Sequence, residues 1–442
     1  MSLLFDQTTT YADIDDEVVA VEDVDVSVDV EALEQYNELS QLSDEIVTAQ
    51  KAIDSLEGIS GLIEKVSEAD EIHPEFVASI QMSVEMLSET LSIPGDVSVL
   101  NIEDIESDTR AHMEAVTDTV KEKARMVYAA IKEAIRKIIA WISDLFKKLR
   151  TTTKKQIANL KAIRKELAKK SGKKVKEEDL TFEDPDAVKS ISTIAVAGAS
   201  GKVLKADNLQ KGLRAAMASN LFIGVHLVGA ADYLSKEYSK ATKSNASKAS
   251  GNPGIYQMYN DFIEGASGEV SSKMGINPND YGLDADGYII ALGPSYVLYA
   301  EKADEDDASM PSKIKVEVPD KISTIIYPQA KEAISMIDDA ITALKATDKK
   351  FLTAEKKLRD TGIVIGKMAD KADNKDDTEK LRTGQKLMSA FSKIAGSTYV
   401  YNTQIAAKLG GFAKKTLKVV KEGAKDESND KGNSDNKGKS EE

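Results

Sequence analysis

The sequence predicts a mainly α-helical protein, in which a long amphipathic central helix joins a helical bundle that carries a small antiparallel β-sheet insert. Charged residues make up 30% of the chain and aromatic residues only 5%, and such chains rarely form large β-sandwiches. Apolar residues recur with a helical period along much of the sequence. Residues 288–299 instead have the pattern of a β-hairpin. The length of 442 residues allows two or three domains.

Residues 1–110 form an acidic segment that we expect to be helical beyond its first part. In residues 1–30 acids alternate with valine, and their density favours a disordered arm over an edge strand. Over residues 39–56 apolar side chains recur at alternating steps of three and four, which is the heptad pattern of a coiled coil or a helical hairpin. A shorter helix is predicted over residues 76–91, before a Pro-Gly pair.

The central helix, residues 111–176, is the most strongly patterned element. From Met113 to Leu149 the apolar positions advance 36 residues in ten steps, which is 3.6 residues per step. Three consecutive threonines at 151–153 predict a break, because β-branched side chains are crowded in a helix. The pattern restarts at Ile157.

Residues 177–320 are predicted to be a loop-rich α/β region. Two short helices are expected, at 206–219 and 221–240, followed by a loop-rich stretch over 251–286. The region ends in a small β-meander, because short apolar runs flank a Gly-Pro turn. The predicted strands are 288–292, 296–299 and 313–318.

Residues 321–422 are predicted to form a C-terminal helical bundle. Four apolar residues there are spaced seven apart, which predicts a second heptad seam within residues 334–358. A last helix is expected over residues 377–422, and the polar tail of residues 423–442 is expected to be disordered. The four seam residues are Ile337, Leu344, Phe351 and Leu358.

Cysteine and histidine usage excludes several kinds of site. The chain has no cysteine, and its three histidines, His73, His112 and His226, are far apart. Gly198–Lys202 resembles a phosphate loop but has too few residues between its glycines and no hydroxyl after the lysine. Asp284–Ile289 resembles a calcium-binding loop whose two end ligands are missing. We therefore predict no catalytic residue, no cofactor, no metal site and no enzymatic activity.

Charge is unevenly distributed along the chain. The formal net charge is −15, but residues 1–110 hold 28 acids against three cations and so carry −25, which leaves +10 for residues 111–442. Residues 121–176 hold 19 lysines and arginines against four acids, which is +15. An acidic segment joined to a basic body indicates a polyanionic partner, a membrane surface, or a segment that screens the other until it is removed.

The most basic stretch is residues 147–176, where thirteen cations accompany a single acid, Glu166. A helix of this kind neutralises phosphates and binds nucleic acid without reading its sequence. The alternative is a solvated helix face, although such faces usually mix charges of both signs. The predicted nucleic-acid-binding residues are Lys147, Lys148, Arg150, Lys154, Lys155, Lys161, Arg164, Lys165, Lys169, Lys170, Lys173, Lys174 and Lys176.

Residues 127–150 have a second interpretation. Their apolar stripe contains Trp141 and Phe146 and their polar face is basic, as in a helix that lies on an anionic membrane surface. The same stripe also fits a helix that packs in a bundle, and we favour that interpretation. No run of 18 or more apolar residues occurs, so we expect no membrane span and a soluble chain.

The layout resembles the internal head, or inner-capsid, proteins of large contractile-tailed bacteriophages. The shared features are an acidic helical N-terminal segment, a long amphipathic helix in which KIIAWISDLFKKLR runs into KKQIANLKAIRKELAKK, and a cysteine-free helical body. The resemblance implies a virion structural protein of the head interior, present in the host cytoplasm during assembly, with packaged double-stranded DNA and other head proteins as partners. It also implies a prohead protease that cuts after Glu. The candidate processing residues are Glu45, Glu57, Glu64 and Glu85.

Three functional hypotheses remain open from the sequence. The first is a packaged structural protein that binds DNA nonspecifically through residues 121–176 once the acidic segment is removed; a cut near residue 110 changes the net charge from −15 to about +10. The second is a membrane-active or conduit-forming protein ejected with the genome, acting through residues 127–150. The third is a soluble helical adaptor that oligomerises through the seams at 39–56 and 334–358.

Overall fold

The computed structural model confirms the mainly α-helical class. It describes residues 109–172, 174–198, 203–243, 253–276, 278–283, 287–303, 311–316, 322–369 and 375–434, with scattered helical positions between 55 and 84. In chain order the elements are α1 (Thr109–Ala168), α2 (Glu177–Leu180), β1 (Thr181–Glu183), α3 (Pro185–Ser190), α4 (Ser192–Gly198), β2 (Val203–Lys205), α5 (Ala206–Lys243), α6 (Pro253–Met274), a 3₁₀ turn (Pro278–Tyr281), β3 (Tyr288–Gly293), β4 (Tyr296–Ala300), β5 (Ser312–Lys315), β6 (Thr324–Ile326), α7 (Ala330–Ala369) and α8 (Lys375–Ser434).

Helix α1 is continuous over 60 residues, so the predicted break at the three threonines is wrong. Each threonine hydroxyl donates a hydrogen bond to the backbone carbonyl four residues earlier, at 3.1, 3.2 and 3.0 Å. Thr153 is buried, and its hydroxyl also lies 3.0 Å from that of Tyr399 in α8. These local and tertiary hydrogen bonds hold the threonines in a helix that their propensity disfavours.

The apolar stripe of α1 is buried as predicted wherever the structure describes its side chains, which leaves out Ala124, Val127, Ile131 and Ile135. Its period places one side chain toward the bundle at nearly every turn. The helix is about 90 Å long, from its rise of ~1.5 Å per residue, and the stripe follows it over most of that length. The buried members, each at most 4% exposed, are Met113, Val116, Val120, Ile138, Ile142, Leu145, Leu149, Leu160, Ile163 and Leu167.

Helix α5 is one helix of 38 residues, where the sequence predicts two short ones. Asn220, at the predicted gap, is fully buried. Its side-chain amide donates to the carbonyl of Leu292 at 2.7 Å and its oxygen accepts from the Leu292 N–H at 3.2 Å. The asparagine therefore serves as a hydrogen-bond partner for β3 and does not interrupt the helix, because its polar groups are satisfied inside the protein.

Within the described residues, α5 is the one helix that is long and apolar enough to cross a bilayer by length and composition. The stretch is Ala206–Lys240, with a hydropathy of 1.3. Half of it is buried inside the protein, where α5 contacts α6, α7 and α8. A core helix of a bundle has this same length and composition, so these properties do not distinguish a core helix from a membrane-spanning one.

Helix α6 occupies much of the stretch that the sequence predicts to be loop-rich, so that prediction is wrong for Pro253–Met274. Proline is favoured in the first turn of a helix because its missing N–H is not needed there. Tyr259, Ile263 and Val270 are fully buried at helical spacing. Glycines and serines between them weaken the apolar pattern, but burial of these side chains against α5 and β3 stabilises the helix.

The predicted β-meander is present as an antiparallel sheet in the order β3-β4-β5. The turn between β3 and β4 holds Ser295 at a φ of 64°. Strand β5, Ser312–Lys315, is displaced from the predicted 313–318. A second sheet, in the order β1-β6-β2, is not predicted. Its strands are three residues long, too short for an alternating pattern to be recognised.

Helix α7 contains the heptad seam, and the structure places that seam inside the chain. Its four seam residues and the next in the series, Ile365, are fully buried. Helix α7 contacts α1, α5 and α8. The seam therefore packs against the protein's own helices, and the adaptor hypothesis loses this surface for oligomerisation.

Helix α8 is the central helix of the bundle. From Gly384 to Tyr401 nearly every side chain is buried, on all sides of the helix, and small residues such as Ala390 and Ala395 allow the neighbouring helices to approach closely. The helix continues to Ser434. It thus extends beyond residue 422, where the sequence predicts the last helix to end.

Four apolar residues of the N-terminal segment belong to the same core. They are at most 4% exposed and share a hydrophobic cluster with the first turns of α1, including Met113, Val116 and Val120. The predicted seam over residues 39–56 lies outside the described residues except for Ser55. The four buried residues are Ile63, Val77, Ile80 and Val84.

Candidate nucleic-acid interface

The basic stretch of α1 has an inner side and an outer side. Leu149, Gln156, Leu160 and Ile163 point into the bundle and are at most 3% exposed. The opposite side carries four lysines at steps of seven, seven and four residues, which keeps them on one face of a helix. We call this set the outer stripe. It spans about 27 Å from the helical rise, and its members are Lys147, Lys154, Lys161 and Lys165.

The outer stripe faces solvent. Lys147, Lys161 and Lys165 are exposed and Lys154 is half-buried. Within the residues that the structure describes, none of the four forms an ion pair with a carboxylate. Lys148 and Lys155 are exposed on the flank of the helix, and Lys170 is half-buried at its end. The outer stripe is therefore a line of positive charge that the fold leaves open to a partner.

Arg164 has a different role from the outer stripe. Its Nε lies 2.6 Å from Oδ1 of Asp338 in α7 and its Nη2 lies 3.1 Å from Oδ2. This two-pronged pairing is the geometry in which arginine binds a carboxylate most specifically. Arg164 thus joins α1 to α7, although the sequence predicts it to be a nucleic-acid ligand.

Arg150 is also directed into the bundle. Its Nη2 lies 3.3 Å from Oε2 of Glu355, and its Nε lies 3.5 Å from Oδ1 of Asp348. The Tyr399 hydroxyl donates to Asp348 Oδ1 at 3.0 Å. Burial raises the pKa of the Glu355 carboxyl, which the nearby Arg150 and Arg359 partly offset. Arg150 therefore neutralises buried carboxylates and is not available to a polyanion.

Lys169 pairs with the one acid of the basic stretch. Its Nζ lies 2.6 Å from Oε1 of Glu166. This hydrogen bond and the charge of Lys169 lower the pKa of the Glu166 carboxyl, and Lys421 and Lys165 lower it further. Glu166 therefore lies in positive surroundings that include a lysine from α8.

The chain after α1 holds the last predicted cations. Lys174 and Lys176 are exposed, and the side chain of Lys173 lies outside the described part of the chain. Gln329 anchors this connection, because its amide donates to the carbonyl of Val175 at 2.8 Å and accepts from the Val175 N–H at 3.2 Å. The charge changes sign directly afterwards, at the acidic first turn of α2.

Sequence reasoning missed a second group of lysines near the C-terminal end of α1. Lys418 and Lys421 of α8 are exposed and Lys414 is half-buried. They lie roughly 250 positions along the chain from the outer stripe, and the Coulombic effect of Lys421 on Glu166 shows that α8 brings them near α1. Their spacing of four and three residues is a signal that the sequence does contain.

The described part of the apolar stripe of residues 127–150 is buried in this fold, whereas the side chains of Val127, Ile131, Ile135 and Trp141 lie outside the described part of the structure. Ile138, Ile142, Leu145, Phe146 and Leu149 are at most 3% exposed. Helix α1 buries them against α7 and α8. The bundle interpretation of this stretch is therefore supported, and the membrane hypothesis would require α1 to leave the bundle.

The remaining sequence motifs contribute no site. Among the described residues, no three histidine, aspartate or glutamate side chains are grouped so that they could hold a metal ion. His226 lies exposed on α5, with its ring 4.0 Å from that of Phe222. Most of the two loop motifs, at 199–202 and 284–286, lies outside the described residues. So do the four candidate processing residues, Glu45, Glu57, Glu64 and Glu85.

Comparison with known proteins matches the chain to a protein family. A family model described as phiKZ-like phage internal head proteins matches residues 12–422. The match includes the acidic segment from residue 12 onward, the outer stripe and the lysines of α8. Neither the curated proteins nor the solved structures contain a match to the chain.

Proposed function

Because the chain belongs to the phiKZ-like phage internal head proteins, which are virion structural proteins of the head interior, we propose that it binds packaged double-stranded DNA without sequence specificity through the outer stripe of α1. The observation that carries this proposal is the position of those four lysines on the outer side of a helix whose inner side is buried. Other head proteins are its further partners in the particle.

The physical basis of the proposed binding is the neutralisation of phosphates. Each lysine that pairs with a phosphate releases a condensed counterion, so affinity comes from entropy and falls as salt rises. The outer stripe spans about 27 Å, which is close to one turn of duplex at ~34 Å. A rigid helix presents these ammonium groups without the entropic cost of ordering a flexible arm.

The acidic N-terminal segment supplies a reason for processing. While it is attached, its carboxylates compete with phosphates for the same lysines and repel DNA from the chain. A prohead protease that removes it would relieve both effects. We therefore propose that the first part of the acidic segment is a propeptide that limits DNA binding before the head is filled.

The buried residues of the N-terminal segment argue against a cut near residue 110 and favour a cut after Glu45. Ile63, Val77, Ile80 and Val84 pack in the core that α1 shares, and burial of each such side chain contributes roughly 1.5–3 kcal/mol. A cut after Glu64 would detach Ile63 and a cut after Glu85 would detach all four, whereas a cut after Glu57 would keep them but fall between the helical positions 55 and 58. A cut after Glu45 would keep all four.

The charge of the chain also fits a cut after Glu45. Residues 1–45 contain 14 acids and no lysine or arginine, so a chain that begins at residue 46 has a formal net charge of −1 instead of −15. Self-repulsion and repulsion of DNA fall together when this segment leaves. The attraction between the basic body and DNA is then no longer opposed by this segment, within the Debye length of about 8 Å at physiological salt.

Fluorescence anisotropy with a 30-base-pair duplex tests the DNA-binding proposal. The chain from residue 46 is compared with the same chain in which the four lysines of the outer stripe are changed to glutamine. The matched control changes four exposed lysines on other elements, Lys189, Lys205, Lys211 and Lys315. We expect weaker binding for the stripe variant alone. Equal weakening by the control would mean that only net charge matters and would contradict the assigned surface.

Three measurements test the propeptide proposal. The full chain should bind the duplex more weakly than the chain from residue 46, and a synthetic peptide of residues 1–45 added to the shorter chain should weaken its binding. Mass spectrometry of the protein from mature particles should find an N-terminus at residue 46. An intact Met1 in those particles would overturn the processing step while leaving DNA binding as a separate question.

A further inference from the structure

Helices α1 and α7 pack side by side and run in opposite directions. Arg164 of α1 pairs with Asp338 at 2.6 Å, near the start of α7. Arg150, earlier in α1, pairs with Glu355, later in α7, at 3.3 Å. These two pairs fix the antiparallel order, and they mark the side of each helix that faces the other.

The outer stripe lies directly beside the side of α1 that faces α7. Lys147 precedes Arg150 by three residues and Lys154 follows it by four. Lys161 likewise precedes Arg164 by three. At 3.6 residues per turn, each of these lysines is turned by about 40–60° from an arginine that contacts α7, and all three are turned in the same sense. The side chains of α1 that contact α8 are turned in the opposite sense, so α8 lies behind this surface.

Helix α7 carries a row of lysines on this same surface. Lys345 precedes Asp348 by three residues, and Lys349 and Lys356 directly follow Asp348 and Glu355, the two carboxylates that face Arg150. Because the helices are antiparallel, this sense of rotation brings the lysines to the surface that holds the outer stripe. All three are exposed, whereas both carboxylates are buried. We call Lys345, Lys349 and Lys356 the α7 row.

Apolar side chains lie between the two rows of lysines. Ile157 of α1 and Ile341 of α7 are half-buried where the helices meet. Leu352 precedes Glu355 by three residues, and it is 43% exposed. An exposed leucine adds nothing to the binding of phosphates, but it can bury apolar surface of a peptide. We call Ile157, Ile341 and Leu352 the apolar floor.

The first 45 residues of the chain have the chemistry that this surface fits. They contain 14 acids and no lysine or arginine, which is opposite in charge to both rows of lysines. Over residues 23–30 every second residue is a valine, and three of the residues between them are aspartates. In an extended chain this alternation places the valines on one side and the carboxylates on the other.

The connection to the described part of the chain is long enough for this contact. Ile63 is buried in the protein, and the 32 residues from Glu31 to Leu62 precede it. Fully extended, they span about 105 Å at ~3.3 Å per residue. Helix α1 is about 90 Å long, so residues 23–30 can reach any point along it.

We propose that residues 1–45 dock on the surface between α1 and α7, with the valines of residues 23–30 on the apolar floor and the carboxylates on the outer stripe and the α7 row. This inference rests on the proposed propeptide function and names the place where the propeptide binds. The docked segment covers lysines of the outer stripe. Apolar contacts hold it there in addition to its charge, so it blocks the DNA-binding surface more strongly than a merely acidic segment would.

Carbodiimide cross-linking, which joins lysine to carboxylate directly, tests the docking in the full-length monomer without DNA. One variant changes four valines to serine and keeps every charge: Val24→Ser, Val26→Ser, Val28→Ser and Val30→Ser. A second variant, Leu352→Gln, alters the apolar floor. Its matched control is Val225→Gln, at a position of α5 that is 44% exposed. Mass spectrometry identifies the cross-linked residues.

We expect cross-links from residues 1–45 to the outer stripe and to the α7 row, and a loss of most of them in both variants but not in the control. Cross-links that persist in both variants would mean that charge alone holds the segment, and would refute the apolar floor. Cross-links mainly to lysines of other surfaces would refute the docking site.

Duplex binding by the same full-length proteins separates this inference from the proposed function. Leu352→Gln should bind the duplex several-fold more tightly than the unmodified chain, because it releases the segment without removing a lysine. Docking cross-links in a chain that binds no duplex would end the proposed DNA binding and leave the docking in place. Duplex binding through the outer stripe without these cross-links would refute the docking and leave the DNA binding in place.

Discussion

Arg164 binds both carboxylate oxygens of Asp338, with Nε to Oδ1 at 2.6 Å and Nη2 to Oδ2 at 3.1 Å. This pair connects α1 to α7 in the middle of the most basic part of the chain. It shows that the cations of residues 147–176 are of two kinds. Some hold the bundle together, and others, on the outer stripe, face solvent.

The first prediction separates these two kinds of cation. The double variant Arg164→Gln/Asp338→Asn removes the pair and leaves the net charge unchanged. We expect its duplex affinity to equal that of the unmodified chain, because Arg164 is already neutralised by Asp338. Lys161→Gln, one turn earlier on the outer stripe, should weaken binding in the same anisotropy assay. Loss of affinity in the double variant would show that Arg164 contacts the DNA itself.

The second prediction concerns the buried hydrogen bonds of Tyr399. Its hydroxyl donates to Asp348 and lies 3.0 Å from the Thr153 hydroxyl, so Tyr399→Phe leaves buried polar groups with fewer partners. We expect a loss of about 1–3 kcal/mol in the free energy of unfolding, measured by chemical denaturation. Tyr233→Phe removes a hydroxyl from a tyrosine that is 37% exposed and should have little effect. Equal stability of the two variants would contradict this account of the core.

The third prediction compares two glycines of α5. A Cβ at Gly224 would lie 2.7 Å from the ring of the buried Phe351, whereas no neighbouring atom lies within 4 Å of the corresponding position at Gly229. Gly224→Ala should therefore lower the unfolding temperature. Gly229→Ala should raise stability by roughly 0.5–1 kcal/mol, because alanine is the better helix former. If both substitutions stabilise, α5 and α7 do not pack at this distance.

The fourth prediction concerns the pH dependence of stability at Glu355. Burial raises its pKa in the folded protein, so the folded state binds more protons than the unfolded state in the pH range just above the ordinary glutamate value. Stability therefore falls as pH rises through that range. Glu355→Gln should be more stable than the unmodified chain near neutral pH, and this advantage should shrink as pH falls.

Thermal unfolding between pH 4 and pH 7 measures this difference. Glu301→Gln, at an exposed position, provides the control for the loss of one carboxylate from the net charge. An advantage of Glu355→Gln that grows toward low pH would have the wrong sign and would show that the charged form of Glu355 is favoured in the fold.

Local pattern was sufficient to predict several elements of this fold. The helical period of α1, the seven-residue spacing of Ile337 and Leu344, and the apolar strands around the β3–β4 turn all arise from short-range rules. The residues that form each pattern lie within one helix or strand, so the sequence of that element alone is enough to predict it. The fold class and the burial of these side chains followed from the same patterns.

Contacts between distant parts of the chain were not predictable in this way. Thr153 stays helical partly because of Tyr399, and Asn220 is satisfied by the backbone of Leu292. The pairing of Arg164 with Asp338 likewise joins residues 174 positions apart. The sequence identified the basic stretch. Tertiary packing decides which of its cations remain exposed to solvent, and it also brings lysines of α8 near the end of α1.

The salt dependence of duplex affinity tests the central claim most directly. The chain from residue 46 and its outer-stripe variant, with Lys147, Lys154, Lys161 and Lys165 changed to glutamine, are titrated with the same duplex at several salt concentrations. If the four lysines bind phosphates, the slope of log affinity against log salt should be shallower in the variant by about 3.6, at about 0.9 per contact. Identical slopes for the two chains would contradict the claim that the outer stripe binds DNA.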